Sequence, residues 1–264
     1  MVNRSLSIAL ILVFSWFLEF LRIRYDVVLD VRIGGIHCIP LFLLPLVAAW
    51  IALPKGTNII GILGRVGVLR WWLTAILVPI LCALGAAAII LFAGYARISD
   101  DAKVVTRLLT LFVDLPLNFV VWFLVIAPLE FFWRGIVGAS SGRLISALIW
   151  SFSLAGLGFA GIGGKGFSFF PGIMVLASLF VVGWYQSIVY HRSGSLLVAC
   201  MSLLTIALAS SILQTLPFSD IDSILVYNLR RFPGHPVGIL IASVLLIPAG
   251  ILMGSFGRRA PANR

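Results

Sequence analysis

The segment "PLEFFWRG" (128–135) places a carboxylate and a guanidinium four residues apart at the end of an apolar stretch. Glu130 and Arg134 have the i, i+4 spacing of a helical ion pair, with the acid first, which is the more favourable order. A charge inside hydrocarbon is costly, so a function is its default explanation. The other interpretation is an arginine that reaches the interface while Glu130 neutralises it. Because Glu130 lies about fifteen residues into the apolar stretch, we expect an inward-facing polar site below the headgroups.

Composition around this segment predicts a membrane protein. The chain has 264 residues, of which 61% are hydrophobic and 11% charged, and its mean hydropathy is +1.15. Soluble domains carry about 25% charged residues. The formal charge of +10 arises from Lys and Arg in short gaps between apolar runs, which is typical of loops facing anionic lipid headgroups. No basic cluster is interleaved with aromatic residues, so nucleic-acid binding is not predicted.

Apolar stretches of bilayer-spanning length recur along the chain and predict one all-α transmembrane domain over residues 1–264, a bundle of about eight helices. The predicted spans are 5–21, 36–53, 72–95, 115–135, 143–161, 171–190, 195–216 and 237–257. In the fourth, Pro128 removes a backbone donor and predicts a kink. The fifth ends in the glycine-rich "LAGLGFAGIGGKG" (154–166), which fits either a re-entrant end or close helix packing.

Three connections between spans have an amphipathic pattern. They cover residues 58–72, 99–114 and 219–232. Apolar residues recur in them at helical spacing, and the last two open with capping Ser and Asp. We therefore predict helices that lie in the membrane interface.

Eight spans place both termini on one side of the membrane. That side collects ten basic residues against nine on the other, and all seven aspartates fall on the opposite side. The count of Lys and Arg is nearly tied, but the shorter loops and the absence of acids favour the terminal side as the cytoplasmic one. We predict an integral protein of a bacterial inner membrane with both termini in the cytoplasm.

At "LEFFWRG" (129–135) the sequence resembles the first motif of the CPBP (CAAX protease and bacteriocin-processing, or Abi) intramembrane proteases. That motif has two glutamates, three further residues and an arginine. The stretches "ASSGRLISALIWSF" (139–152) and "GWYQSIVYHRSGSLLVACMSLLTIA" (183–207) are similar to the family's polar turn and to its approach to the last motif. The resemblance covers about 115–210. It implies the CPBP fold and an endopeptidase that acts on CAAX-type or bacteriocin-type substrates.

Three departures from the family pattern bear on catalysis. Leu129 stands where the family has its first glutamate. The second motif, a Phe with a His four residues later, aligns best at Phe152, and Gly156 takes the place of the His. The His of the third motif falls at Leu203, or at Ser202 with a shift of one residue. The resemblance implies a glutamate that activates water and histidines that complete the site, and both functions need positioned groups.

These observations leave three functional classes. The leading hypothesis is a catalytically inactive homologue that keeps Glu130 and Arg134 as a structural clamp and acts as a scaffold, assembly or regulatory subunit in a membrane complex. The alternative is an active endopeptidase with Glu130 and Arg134 as catalytic residues, helped by Gln186 or Ser202. A transporter or lipid-binding protein is the third class, although few intramembrane charges are present for ion coupling. The expected partners are membrane lipids and other membrane protein subunits.

The remaining polar residues within the spans are candidates to line a cavity. They are Asn118, Gln186, Ser202 and Thr205. Buried amides need hydrogen-bond partners, whereas Ser and Thr commonly bond between helices. No cofactor is predicted. The histidines and cysteines show no ligand spacing, so no metal site is predicted either.

Overall fold

Helices make up most of the computed structural model. It describes residues 2–25, 32–33, 36–53, 61, 64–98, 120, 123–124, 126–138, 142–154, 169–212, 225–227 and 235–255. In chain order the helices are α1 (Val2–Tyr25), α2 (Cys38–Ala52), α3 (Leu69–Phe92), a π-helix (Phe131–Val137), α4 (Arg143–Leu154), α5 (Phe169–Ser193), α6 (Leu196–Ile212) and α7 (His235–Ser255). The predicted all-α class is confirmed.

Each of the eight predicted spans overlaps one of these helices. Within the described residues two segments, Leu69–Phe92 and Ile173–Ser193, are both long and apolar enough to cross a membrane. Shorter apolar segments occur in α1, α4, α6 and α7. The number of membrane crossings therefore stays a prediction.

Four short strands lie between the helices in the part of the chain that the structure describes. β1 (Arg32–Ile33) pairs antiparallel with β2 (Ile36–His37), and β3 (Ala96–Ile98) pairs antiparallel with β4 (Leu225–Tyr227). The prediction of an amphipathic helix over 219–232 is wrong at 225–227. The β-branched and aromatic residues of that segment suit a strand, and the chain after α3 supplies its partner.

The interfacial helix predicted over 58–72 is also wrong at 64–68, although residues 61 and 69–72 are helical. Residues 64–68 form a turn and irregular backbone before α3 begins. Gly67 has a φ of +77°, which an α-helix does not accommodate. The helix predicted over 99–114 lies outside the described residues.

Helix α5 lies at the centre of the bundle. It packs against α4, α6 and α7, while α3 covers α6 and α7, and α1 packs on α2 and α4. A Cβ at Gly183 would lie 2.8 Å from Cε3 of Trp150, so only glycine lets α5 approach the buried indole. This close approach brings α4 and α5 together beside the π-helix.

Contacts between helix ends fix the directions of the last helices. Arg192 donates from Nη2 to the carbonyl of Gly254, so the carboxyl ends of α5 and α7 meet. Gly194, with a φ of +64°, turns the chain from α5 into α6. The hydroxyl of Ser195 donates to the carbonyl of Arg65, which fastens the segment before α3 to the start of α6. α5 and α7 therefore run parallel, and α3 and α6 begin at the end where they finish.

Candidate functional site: a buried ion pair between three helices

Glu130 and Arg134 form the ion pair that their spacing predicts. Nε of Arg134 donates to Oε2 of Glu130 at 3.3 Å. The exposed fractions of the two side chains are 0% and 1%, so the pair is sealed from the surface. A carboxylate and a guanidinium in a protein interior require such pairing, since an isolated buried charge is strongly unfavourable.

The backbone at the pair widens from an α-helix into a π-helix. Residues 126–130 are helical and continue directly into Phe131–Val137. At its end the amide of Gly138 donates to the carbonyl of Trp133, five residues back, at 2.8 Å. A Cβ at Gly138 would lie 3.0 Å from that same carbonyl oxygen, so a glycine suits this closure. Single π-turns inside helices occur often at functional sites.

Arg134 also contacts two neighbouring helices. Nη1 donates to the hydroxyl of Ser187 on α5 at 2.9 Å and to the hydroxyl of Ser146 on α4 at 3.4 Å. Its Cζ lies 5.5 Å from the ring centroid of Trp150, within reach of a cation–π interaction. One side chain thus joins the π-helix, α4 and α5. Sequence reasoning missed these partners, because serines are common in apolar helices and nothing in their spacing points to Arg134.

Gln186 and Ser202 meet on the face where α5 packs against α6. In the orientation that satisfies both ends of the amide, Gln186 donates to the carbonyl of Ala199 at 3.1 Å. It accepts from the amide of Leu203 at 3.1 Å and from the hydroxyl of Ser202 at 3.0 Å. Gln186 and Ser202 are fully buried. Gln186 and Ser187 are consecutive on α5, so their side chains leave the helix in different directions, one toward α6 and one toward Arg134.

The other two predicted cavity residues do not join this site. The hydroxyl of Thr205 donates to the carbonyl of Met201 at 2.8 Å, a bond within its own helix. That bond satisfies the hydroxyl without a partner from another helix. Asn118 lies outside the described residues.

The positions aligned with the second and third family motifs place no imidazole beside Glu130. Phe152 is 40% exposed and faces outward, while Ser202 and Leu203 are buried in α6. Gly156 lies outside the described residues. Within the described ranges no three His, Cys, Asp or Glu side chains are grouped so as to hold a metal ion.

The ion pair retains hydrogen-bonding capacity. Oε1 of Glu130 and Nη2 of Arg134 have no partner among the described residues. Comparisons with family models, with curated proteins and with solved structures gave no match for this chain. The interpretation of the site therefore rests on its own geometry.

Proposed function

We propose that this chain is a polytopic integral membrane protein of CPBP-like fold, with both termini in the cytoplasm of a bacterial cell. Two helices of sufficient length and hydropathy support membrane insertion. Leu73, Leu77, Leu81 and Leu84 on α3 support it further, because each is at least half exposed and their spacing forms one continuous apolar face. Contiguous apolar surface of this kind marks contact with a membrane or a partner.

We further propose that the protein is catalytically inactive and serves as a scaffold, assembly or regulatory subunit of a membrane complex. This proposal rests on the observation that the Glu130 carboxylate is buried and ion-paired. A general base must reach the proton that it removes, whereas this carboxylate is fully buried and bound to Arg134. The contacts of Arg134 to Ser146 and Ser187 make the pair a clamp between helices.

A cleavage assay tests the absence of catalysis. The full-length protein is reconstituted into proteoliposomes with prenylated peptides and with transmembrane peptides, and products are measured by mass spectrometry. We expect no cleavage from the wild type, from Glu130→Gln or from Ser178→Ala. Ser178 is the matched control, because among the described residues its buried hydroxyl bonds only the carbonyl of Met174 in its own helix. Cleavage that persists in Ser178→Ala and disappears in Glu130→Gln would overturn the proposal.

A second experiment tests the proposed role in a complex. The tagged protein is purified in mild detergent after cross-linking in intact membranes, and associated proteins are quantified against an unrelated membrane protein carrying the same tag. We expect a membrane protein partner in fixed stoichiometry. Recovery of the chain without any enriched partner contradicts the scaffold role.

One feature favours the alternative of an active endopeptidase. Oε1 of Glu130 is free of partners among the described residues, and Gln186, which bonds Ser202, is next in the chain to Ser187, which binds Arg134. An amide and a hydroxyl are suitable donors for a developing oxyanion. In the cleavage assay this alternative predicts products that are lost in Glu130→Gln and reduced in Gln186→Leu.

A further inference from the structure

The face along which α4 packs on α5, the α4–α5 seam, carries facing residues at successive levels. At one level Gly183 lies against Trp150. At the next, four residues along each helix, the hydroxyls of Ser187 and Ser146 both accept from Arg134. Because the residue numbers rise along α5 as they fall along α4, the two helices run antiparallel. The beginning of α4 therefore meets the end of α5.

Arg143 and His191 form the next level of the α4–α5 seam. Arg143 lies three residues before Ser146, and His191 lies four residues after Ser187. Each side chain therefore continues the row of its own helix that faces the other helix. Both residues are exposed, and Arg143 acts electrostatically on His191. The outer end of the seam thus brings a guanidinium and an imidazole close together.

No described carboxylate neutralises this end of the seam. Glu130 is the only carboxylate whose side chain the described ranges include, and it is bound to Arg134. Of that buried pair, it is Arg134 whose charge acts on His191. In the predicted topology all seven aspartates fall on the opposite side of the membrane. The charge at the end of the seam therefore favours an anion that comes from outside the chain.

The depth of these side chains favours a phosphate group as the anion. The segment Ile173–Ser193 of α5 is long and apolar enough to cross a membrane, and His191 lies in the last turn of that helix. The last turn of a span lies at the level of the headgroups, where lipid phosphates are found. Arginine binds phosphate oxygens through two parallel N–H groups, and an imidazole donates one further hydrogen bond.

We propose that Arg143 and His191 form a phosphate-binding site at the outer end of the α4–α5 seam. The guanidinium of Arg143 binds two phosphate oxygens, and the imidazole of His191 donates an N–H to a third. The phosphate belongs to a lipid headgroup or to a soluble phosphate compound, since both present the same oxygens. The site rests on the proposed membrane placement and goes beyond the scaffold role. It does not depend on the state of Glu130, so its failure leaves the cleavage assay unaffected.

Thermal unfolding of the full-length protein in a neutral maltoside detergent, at constant ionic strength, tests the site. One arm compares inorganic phosphate with chloride. The other compares phosphatidic acid with diacylglycerol, which has the same chains without the phosphate. We expect a phosphate-bearing probe to raise the Tm of the wild type, because a ligand that binds the folded state stabilises it. Arg143→Gln should weaken the apparent affinity about tenfold, the loss of one charge-assisted contact.

Two substitutions of His191 test its hydrogen bond separately. His191→Gln keeps an N–H donor, whereas His191→Phe loses the donor and keeps a ring beside Tyr190, whose ring centroid lies 5.9 Å from that of His191. We expect His191→Gln to bind phosphate nearly as the wild type does and His191→Phe to bind it about fivefold more weakly. Equal affinities of the two variants would contradict the role of His191.

Arg70→Gln is the matched control for the loss of a charge. Arg70 is exposed at the same end of the bundle, with its Cζ 5.4 Å from the ring centroid of Trp71, and it belongs to α3, which covers α6 and α7. This variant should respond to the phosphate probes as the wild type does. A wild type whose Tm rises with neither phosphate nor phosphatidic acid would refute the site, as would an undiminished response in Arg143→Gln. A response to a hexaglutamate peptide alone would instead assign these residues to an acidic protein segment.

Discussion

The guanidinium of Arg134 remains protonated in proteins, and it lies in the protein interior, away from solvent. Its contacts divide the guanidinium among Glu130, Ser146 and Ser187, with the ring of Trp150 close to its Cζ. Removing one member of a buried pair leaves the other uncompensated, whereas removing both is far less harmful. Loss of one charge of the pair should therefore lower the stability of the protein more than loss of both.

Substitution of one or both members of the pair tests this expectation. Arg134→Met leaves the Glu130 carboxylate buried without its cation, and we expect a loss of about 3–5 kcal/mol in the free energy of unfolding. The double variant Glu130→Leu with Arg134→Met removes both charges and recovers most of that loss. Unfolding of the single and double variants in detergent, arranged as a double-mutant cycle, checks the coupling. Additive effects of the two substitutions would contradict the clamp.

Gln186 gives a second prediction at the residue scale. Gln186→Leu leaves Ser202 and the carbonyl of Ala199 without their bonds to the amide, so we expect a loss of about 1–3 kcal/mol in stability. Thr205→Val is the control, because the Thr205 hydroxyl donates to the carbonyl of Met201 within α6, and its effect should be smaller. Thermal unfolding of the two variants in detergent measures the difference. An equal shift in Tm for both would show that the amide bridge contributes little.

Among the helices, glycines decide how closely α5 approaches α4 and how closely the segment before α3 approaches α6. Gly183 faces Trp150 across the α4–α5 contact, and Gly67 faces Ser195 and Val198 at the start of α6. Both positions are crowded, but only Gly67 combines crowding with a positive φ. Their substitutions separate packing from backbone conformation.

The packing effect is isolated at Gly183. A methyl group there would lie 2.8 Å from Trp150 Cε3, so Gly183→Ala displaces the indole that stacks on Arg134, and we expect a loss of about 1–3 kcal/mol. Gly142→Ala is the control, since its Cβ would meet no atom within 4 Å. Differential scanning measurements of Tm in detergent should show a drop for Gly183→Ala alone. A drop of the same size for both would place its cause outside the α4–α5 contact.

The conformational effect is isolated by comparing two turns. Gly67 and Gly94 have φ values of +77° and +71°, and an L-residue in this region costs about 1–2 kcal/mol. A Cβ at Gly67 would also lie 3.0 Å from Ser195 Cβ and from Val198 Cγ2, whereas one at Gly94 meets nothing within 4 Å. We expect both alanine variants to be destabilised in thermal unfolding, and we expect Gly67→Ala to have the lower Tm. The reverse order would mean that α6 moves to accommodate a side chain at position 67 at little cost.

At the scale of the whole molecule, apolar side chains cover outward faces of several helices. The exposed residues include Trp50 on α2, Leu77 and Phe92 on α3, Leu148 on α4 and Ile251 on α7. In water such a surface would drive association. In the proposed membrane placement this surface would face lipid, where exposed apolar side chains are favourable.

Labelling of the two ends of α3 tests this placement. α3 has 24 residues, a length of about 36 Å at 1.5 Å per residue, which exceeds the hydrocarbon thickness of about 30 Å. Cysteines at Val66 and Ala93, in a chain without its three native cysteines, should react with an impermeant maleimide from opposite sides of the membrane. We expect labelling of Ala93→Cys in intact spheroplasts and of Val66→Cys only after lysis. Labelling of both from one side would contradict a span.

The sequence by itself determined the helical class, the approximate position of each described helix and the pairing of Glu130 with Arg134. These features are local, since hydropathy over about twenty residues and i, i+4 spacing need no information from distant parts of the chain. The tertiary structure alone decided the partners of Arg134 on α4 and α5, the contact of Gln186 with α6, and the strand at 225–227 in place of a helix. Each of these depends on segments far apart in the chain, and burial removes water as the alternative hydrogen-bonding partner.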